Sequence, residues 1–273
     1  MGKIIAVAIP KGGVGKTTVS VNLSLALAKN HKRTLLIDVD ASNQVALSLG
    51  LDAAGGSLYD LINYIKVFDE VINKTQYENL DVIPFKNISF EDELLLTDLA
   101  FNQFLLKNLI DPVISEYDFV IIDCPPHLIG MTTNALNISD SVLIPVKSSN
   151  YSLKAVDRVI QRVKEISSTT NKKLTIEGIL PTVYEFNTRA AFKIKKNLYA
   201  LFPQYMLSTV IPKNSLAEEA SFYRKPVLDL YPNAKSSKAF MQLAEEIIEK
   251  NHTFVYESLS GLDDYQIIDE DSL

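Results

Sequence analysis

The stretch Lys11-Gly12-Gly13-Val14-Gly15-Lys16-Thr17-Thr18 decides the fold of this chain. It lies between an apolar run of strand length, residues 3–9, and a run with helical apolar spacing, residues 17–29. Because glycines allow positive φ, successive backbone N–H groups can point into one concavity, and the helix start adds further unpaired donors. Lys16 is placed to reach β- and γ-phosphates, and the Thr17 hydroxyl is placed to bind Mg²⁺. The stretch therefore predicts a phosphate-binding loop.

Apolar strand candidates and helical stretches alternate along the rest of the chain. Continuous rather than alternating apolarity is typical of strands that are buried on both faces of a parallel sheet. The predicted strands are residues 3–9, 34–38, 80–85, 119–123, 141–146, 174–180 and 207–211, and the predicted helices are 17–29, 91–110, 151–168, 187–201 and 235–250. This order predicts one α/β domain over residues 1–250, with a doubly wound, mostly parallel sheet and helices on both faces. Residues 251–273 are predicted to form a separate acidic tail.

Composition excludes several classes of protein. The chain has 273 residues, of which 47% are hydrophobic and 22% are charged, and these values exclude a disordered protein. Cys124 is the single cysteine, so neither an intrachain disulfide nor a multi-cysteine metal site is expected. No apolar run approaches the roughly 18 residues that a membrane helix needs. The first residues do not resemble a signal peptide, and we therefore expect a cytoplasmic protein.

Charge is distributed unevenly along the chain. Residues 1–146 carry 17 acids and 10 bases, whereas residues 147–250 carry 10 acids and 17 bases. Residues 251–273 add six acids and no Lys or Arg. Because local surface charge sets the attraction to a polyanion, the net charge of −6 does not exclude a nucleic-acid partner for the basic half.

The phosphate loop departs from the standard Walker A pattern, since Pro10 stands where that pattern needs Gly and Lys11 is added at its start. In this it resembles the deviant Walker A loop of the ParA/MinD family of ATPases. Three later segments are also similar to that family: Leu-Leu-Ile-Asp-Val-Asp at 35–40, Phe-Val-Ile-Ile-Asp-Cys-Pro-Pro at 119–126 and Val-Ile-Pro-Lys-Asn at 210–214. With the Lys-Pro pair at 225–226, the resemblance spans about residues 1–250. It is strongest to short ParA-type chromosome and plasmid partition proteins.

The resemblance implies a weak ATPase that uses ATP and Mg²⁺. Lys11 would cross a dimer interface to the partner's nucleotide, Asp40 would orient the attacking water, and with Lys16 they would form the catalytic set. The implied nucleotide-binding residues are Lys11, Gly12, Gly13, Val14, Gly15, Lys16, Thr17, Thr18, Pro212 and Asn214. Asp123 ends a predicted buried strand, where its carboxylate and the Thr17 hydroxyl can hold Mg²⁺. The active species would be an ATP-sandwiched homodimer.

The resemblance also implies non-specific DNA binding in the ATP state, at the nucleoid. A ParB-like centromere-binding protein would stimulate hydrolysis and so release the DNA. The candidate DNA-binding residues are Arg189, Lys193 and Lys196, which would contact phosphates without reading sequence. The acidic C-terminal end disfavours binding to an anionic membrane.

Two departures from the family pattern bear on these expectations. Residues 40–44 read Asp-Ala-Ser-Asn-Gln where relatives read Asp-Pro-Gln-Gly-Asn, so the loop lacks the Pro and Gly that set its backbone freedom. Residues 215–216 read Ser-Leu where DNA-binding relatives often carry Arg. The alternatives are a MinD-like positioning ATPase for a protein or membrane-associated cargo, and a metabolic ATP-dependent synthetase on the same fold. The basic residues could also be scattered, solvated side chains.

Overall fold

A seven-stranded sheet forms the centre of the protein, in the order β3-β4-β2-β5-β1-β6-β7. The computed structural model describes residues 2–51, 55–110, 114–148 and 152–260, with side chains described as far as Asn251. The strands are β1 (Lys3–Val7), β2 (Thr34–Asp38), β3 (Asn73–Lys74), β4 (Leu80–Ile83), β5 (Phe119–Asp123), β6 (Ser141–Lys147) and β7 (Thr175–Thr182). Neighbouring strands are parallel except for β3, which runs antiparallel to β4. The predicted mostly parallel sheet is therefore confirmed.

Helices cover both faces of this sheet. They are α1 (Lys16–Lys29), α2 (Gln44–Ser48), α3 (Leu58–Ile62), α4 (Phe68–Val71), α5 (Phe90–Leu99), α6 (Leu105–Ile110), α7 (Met131–Ile138), α8 (Ser152–Thr169), α9 (Arg189–Leu201), α10 (Ser215–Phe222), α11 (Val227–Leu230) and α12 (Lys235–Ser260). Side chains alternate between the faces of a strand, and β1 follows this rule. Its Ile4 and Ala6 join the core that includes α7 and α8, whereas Ile5 and Val7 join the core of α1 and α12. The doubly wound architecture is confirmed by these two cores.

The single helix predicted over residues 91–110 was wrong, because the structure has two helices there. The chain turns between α5 and α6, where the Asn102 side-chain oxygen accepts a hydrogen bond from the Phe104 backbone N–H at 3.2 Å. Short polar side chains compete in this way with the hydrogen bonds of a continuing helix.

The strand predicted over residues 207–211 was also wrong. This segment lies beside β7 but forms only isolated bridges, with Leu207 N–H donating to Ile179 and Ile211 N–H donating to Pro181. The Glu246 carboxylate accepts hydrogen bonds from the backbone N–H groups of the intervening residues 208 and 209, at 2.7 and 3.0 Å. A strand ladder cannot form where a side chain takes its donors.

Helix α12 continues to Ser260, ten residues past the predicted end of the domain. Residues 261–273, which make up most of the predicted acidic tail, lie outside the described residues. Among the helices that the structure describes, none combines the length and the apolarity needed to cross a membrane.

The order β2-β5-β1 determines where the site lies. These three strands are parallel neighbours, and Asp123 at the end of β5 is paired with Val7 of β1 and with Asp38 of β2. The segments that follow the three strands therefore meet at one edge of the sheet, which is where ligands bind in open α/β folds.

Candidate nucleotide-binding site

The loop between β1 and α1 has the backbone of an anion cradle. Gly13 and Gly15 have φ values of 67° and 87°, in the left-handed region that glycine adopts more readily than residues with a Cβ. A Cβ added at Gly12 or Gly13 would meet no atom within 4 Å, so the loop borders open space at these two positions. The loop is held in place by β7, because the buried Thr182 hydroxyl at the end of that strand donates a hydrogen bond to the Val14 carbonyl at 2.8 Å.

Lys16 is the first residue of α1 and is largely buried. Its ammonium Nζ donates to the Lys11 carbonyl oxygen at 3.0 Å. Burial lowers the pKa of Lys16, and the nearby Asp123 carboxylate partly opposes this shift. The first turn of α1 has no side-chain N-cap, because Gly15 occupies that position. A partly desolvated ammonium and uncapped helix donors therefore lie together, and both favour a bound anion.

Asp123 at the end of β5 and Thr17 in the first turn of α1 supply a pair of oxygen atoms that suits Mg²⁺. The Thr17 hydroxyl donates to Asp123 Oδ2 at 2.7 Å, and the Ser20 hydroxyl donates to Asp123 Oδ1 at 2.8 Å. Mg²⁺ in nucleotide sites is bound by one or two such oxygens, with water and phosphate completing the octahedron. The residues present therefore fit Mg²⁺ beside a bound phosphate chain.

Three carboxyl groups meet at this edge. Asp38 is fully buried and accepts hydrogen bonds from the backbone N–H groups of Asp40, at 3.0 Å, and Val45, at 3.3 Å. Burial, with the nearby charge of Asp123, raises the pKa of Asp38 well above its usual range. Burial likewise raises the pKa of Asp123, to about 6. Asp38 thus acts mainly on the backbone of the following loop.

Asp40 lies on that loop and is only half-buried. Its carboxylate accepts a hydrogen bond from the Ser42 backbone N–H at 3.0 Å, which makes a tight turn. Asn43, where relatives carry Gly, has a left-handed backbone with φ 55°, a conformation that Asn tolerates better than most residues. The sequence departure at residues 40–44 thus still forms a compact turn that leads into α2.

A cavity of about 480 Å³ adjoins the phosphate loop. Its lining includes Gly15 and Thr18 from the loop side and Val183, Pro212, Asn214 and Phe222 from the far side. The structure therefore brings Pro212 and Asn214, which lie about 200 residues from the loop in sequence, into the wall of a cavity that adjoins the loop. A larger cavity of about 670 Å³ lies beside it, but its lining lacks the residues of the phosphate loop.

The polar atoms of Asn214 already have structural partners. Its side-chain oxygen accepts from the Leu216 backbone N–H at 3.0 Å and caps α10, while its side-chain nitrogen donates to the Ser236 hydroxyl at 2.9 Å. Asn214 therefore shapes the wall of the cavity by joining α10 to α12.

The three candidate DNA-binding residues lie elsewhere, on α9. Arg189, Lys193 and Lys196 are all exposed, and none of them lines the cavity beside the phosphate loop. The helix begins at a Thr188 cap and is held by the buried Ala191 and Leu198. The exposed Phe192 lies within the same basic stretch.

Three contacts of this site were not predicted from the sequence. Ser20 lies one helical turn after Thr17, so helix spacing could have found it. Thr182 and Phe222 could not have been found in that way, because the fold alone brings them to the loop and to the cavity.

A glycine cradle, a helix start with a buried lysine, and a threonine–carboxylate pair at the end of a parallel strand define the class of P-loop nucleotide-binding proteins. Comparison with known proteins agrees: the AAA_31 family, described as an AAA domain, matches residues 2–176. The chain belongs to this family, the ParA/MinD-type ATPases, which use ATP and Mg²⁺.

Individual relatives match over most of the chain. It is 37% identical over 250 residues to the sporulation initiation inhibitor protein Soj of Bacillus subtilis, which covers 90% of this chain and 98% of that protein. It is 30% identical over 253 residues to the chromosome partitioning protein ParA of Myxococcus xanthus, which covers 92% and 89%. The structure of the septum site-determining protein MinD of Pyrococcus horikoshii, complexed with Mg-ADP, superimposes with a TM-score of 0.78 at 26% identity and covers 90% of this chain and 96% of that one.

Proposed function

We propose that the protein is a partition ATPase that dimerises around ATP, binds DNA non-specifically in that state and is released when hydrolysis is stimulated by a partner. The observation that carries the proposal is the meeting of three features at one sheet edge. They are the glycine cradle with Lys16, the Thr17–Asp123 pair and the turn that carries Asp40. The name of the ParA relative, a chromosome partitioning protein, supports chromosomal DNA as the cargo.

In this proposal the phosphate loop and Lys16 hold the triphosphate. The Lys16 ammonium would donate to phosphate oxygens in place of the Lys11 carbonyl oxygen. The negative charge of the phosphates would then balance the charge of this buried ammonium. Thr17 and Asp123 would hold Mg²⁺, which neutralises charge on the β- and γ-phosphate oxygens. Pro212 and Phe222 would enclose the base in the adjoining cavity.

Lys11 and Asp40 would complete the catalytic arrangement. Lys11 opens the loop and is half-buried, and a loop that faces open space can present its side chain to a second subunit. A cation delivered to the transferring phosphoryl group stabilises the negative charge that spreads over it. The carboxylate of Asp40 would orient the attacking water, since it is less buried than those of Asp38 and Asp123.

The exposed face of α9 would contact DNA. Arg189, Lys193 and Lys196 can bind phosphates, and such contacts give non-specific affinity that falls steeply with salt. A dimer presents this face twice, so ATP would control DNA affinity through avidity. A ParB-like centromere-binding protein is the proposed activator, and the nucleoid in the cytoplasm is the proposed location.

The test is ATP turnover measured with and without DNA and the partner protein. We expect slow turnover that DNA and partner raise together, and no turnover by Lys16→Ala. Thr18→Ser is a matched control on the same loop, since it keeps a hydroxyl at the cavity wall. Fast turnover that requires a small-molecule acceptor and ignores DNA would contradict the proposal and favour a synthetase.

A further inference from the structure

Helix α5 is almost uncovered on its outer side. Of its ten residues only Leu96 is buried. Five of the sixteen exposed large hydrophobic side chains among the described residues fall in the short stretch 90–101: Phe90, Leu94, Leu95, Leu99 and Phe101, which are 39–82% exposed. Exposed apolar residues that cluster in this way mark interaction sites. We name these five side chains, together with the acids between them, the α5 surface.

The helix that carries this surface is well anchored. The Ser89 hydroxyl caps it by accepting from the Asp92 backbone N–H at 3.1 Å, and the Asp92 carboxylate accepts from the Tyr59 hydroxyl at 2.6 Å. At its far end the buried Asn134 of α7 donates to the Ala100 carbonyl at 3.1 Å. The exposed side chains therefore project from a fixed helix that is ready to receive a partner.

The acids of the α5 surface select among possible partners. Glu91, Glu93 and Asp98 are exposed on the same helix, and residues 87–106 contain no Lys or Arg. DNA and anionic lipid are repelled by such a surface. The C-terminal segment 261–273 of this chain is repelled as well, because it carries five acids and no base. A cation-bearing apolar segment fits both the charge and the apolar side chains.

The turn after α5 contacts the start of α7. Asn134 joins the turn after α5 to α7, and a Cβ added at Gly130 would lie 3.7 Å from the Ala100 side chain. Gly130 ends the loop that begins after Asp123, and the exposed Ile129 precedes it. The turn that ends α5 is therefore joined by the start of α7 to the loop that follows Asp123.

We propose that the α5 surface is the docking site for a basic, amphipathic segment of a partner protein. The apolar side chains of that segment cover Leu94, Leu95 and Phe101, and its cations pair with Glu91, Glu93 and Asp98. This inference does not rest on the proposed partition function, because it concerns a surface and a binding event that need neither DNA nor ATP.

The test uses a defined probe, a fluorescently labelled helical peptide built only from Leu and Lys at amphipathic spacing. Its binding to the full chain is measured without nucleotide by fluorescence anisotropy. Peptide binding should weaken about tenfold at low salt in the triple variant Glu91→Gln/Glu93→Gln/Asp98→Asn, because three surface ion pairs are lost. Leu94→Gln/Leu95→Gln should weaken binding at both low and high salt.

Matched controls distinguish peptide binding at the α5 surface from non-specific hydrophobic binding. Ile65→Gln/Val67→Gln removes two exposed apolar side chains that are not part of the α5 surface and should leave binding unchanged. A peptide with Glu in place of Lys should not bind. Hydrogen exchange should show peptide-dependent protection in residues 90–101.

Four results would overturn the proposal. The first three are equal peptide binding by all variants, protection confined to other segments, and no peptide binding even at low salt. The fourth is self-association of the chain that Leu94→Gln/Leu95→Gln abolishes, because the occupant of the surface would then be a second copy.

Discussion

Thr182→Val tests whether the far end of β7 holds the phosphate loop in place. The Thr182 hydroxyl donates to the Val14 carbonyl at 2.8 Å, and both side chains are only 1% exposed. Valine keeps the shape of threonine but removes the donor, so the Val14 carbonyl loses this buried partner. Such a loss costs about 1–3 kcal/mol of unfolding free energy. For a chain of this size a loss of about 2 kcal/mol lowers Tm by roughly 4–8 °C.

Calorimetry with and without Mg-ADP measures both parts of this prediction. A loop released from Val14 must be ordered again by the nucleotide, so we expect weaker Mg-ADP binding as well as the lower Tm. Thr182→Ser is the control, because it keeps the hydroxyl and removes only a methyl group. If Thr182→Val matched Thr182→Ser in both Tm and nucleotide affinity, the hydrogen bond would have no role in holding the loop.

Three further predictions concern the site and the surfaces around it. Lys16→Ala should abolish nucleotide binding in a titration, because it removes the partly desolvated ammonium at the first turn of α1; unchanged affinity would contradict the assignment. Burial raises the pKa of Asp123 to about 6, so protonation of this carboxylate competes with Mg²⁺ binding, and Mg-dependent nucleotide affinity should fall about tenfold between pH 7 and pH 5. Asp123→Asn should show only the pH dependence of the nucleotide itself. Identical pH profiles for the two proteins would refute the role of Asp123. Arg189→Glu should weaken DNA retention at low salt and reduce its salt dependence, whereas Lys107→Glu on α6 should not; equal loss in both variants would place the DNA-binding surface elsewhere.

Much of the fold could be predicted because its signals are local. The apolar runs at β1, β2 and β5 and the glycine pattern of residues 11–18 each require only a few neighbouring residues to be recognised. The position of Asp123 at the end of a buried strand placed it at the same edge as the loop, where the structure has it 2.7 Å from Thr17.

What the sequence did not show depends on contacts between distant segments. The Thr182–Val14 hydrogen bond joins residues 168 apart, and no local pattern signals it. Residues 207–211 have the composition of a strand, but the carboxylate of Glu246 takes two of their donors. Residues 91–110 have helical composition throughout, but a single polar side chain at Asn102 divides the helix. The exposure of α5 was equally invisible, since its leucines resemble those of any buried helix.

In the proposed active species, two copies of the chain close around ATP and each lends Lys11 to the other. Light scattering on Asp40→Ala, in which hydrolysis should be slow, tests it most directly when ATP and Mg²⁺ are added to the 30.4 kDa chain. We expect a doubled mass with ATP for Asp40→Ala, and the mass of one chain with ATP for the double variant Asp40→Ala/Lys11→Ala. A mass that stays at that of one chain with ATP, or a dimer that forms equally well without the Lys11 side chain, would contradict it.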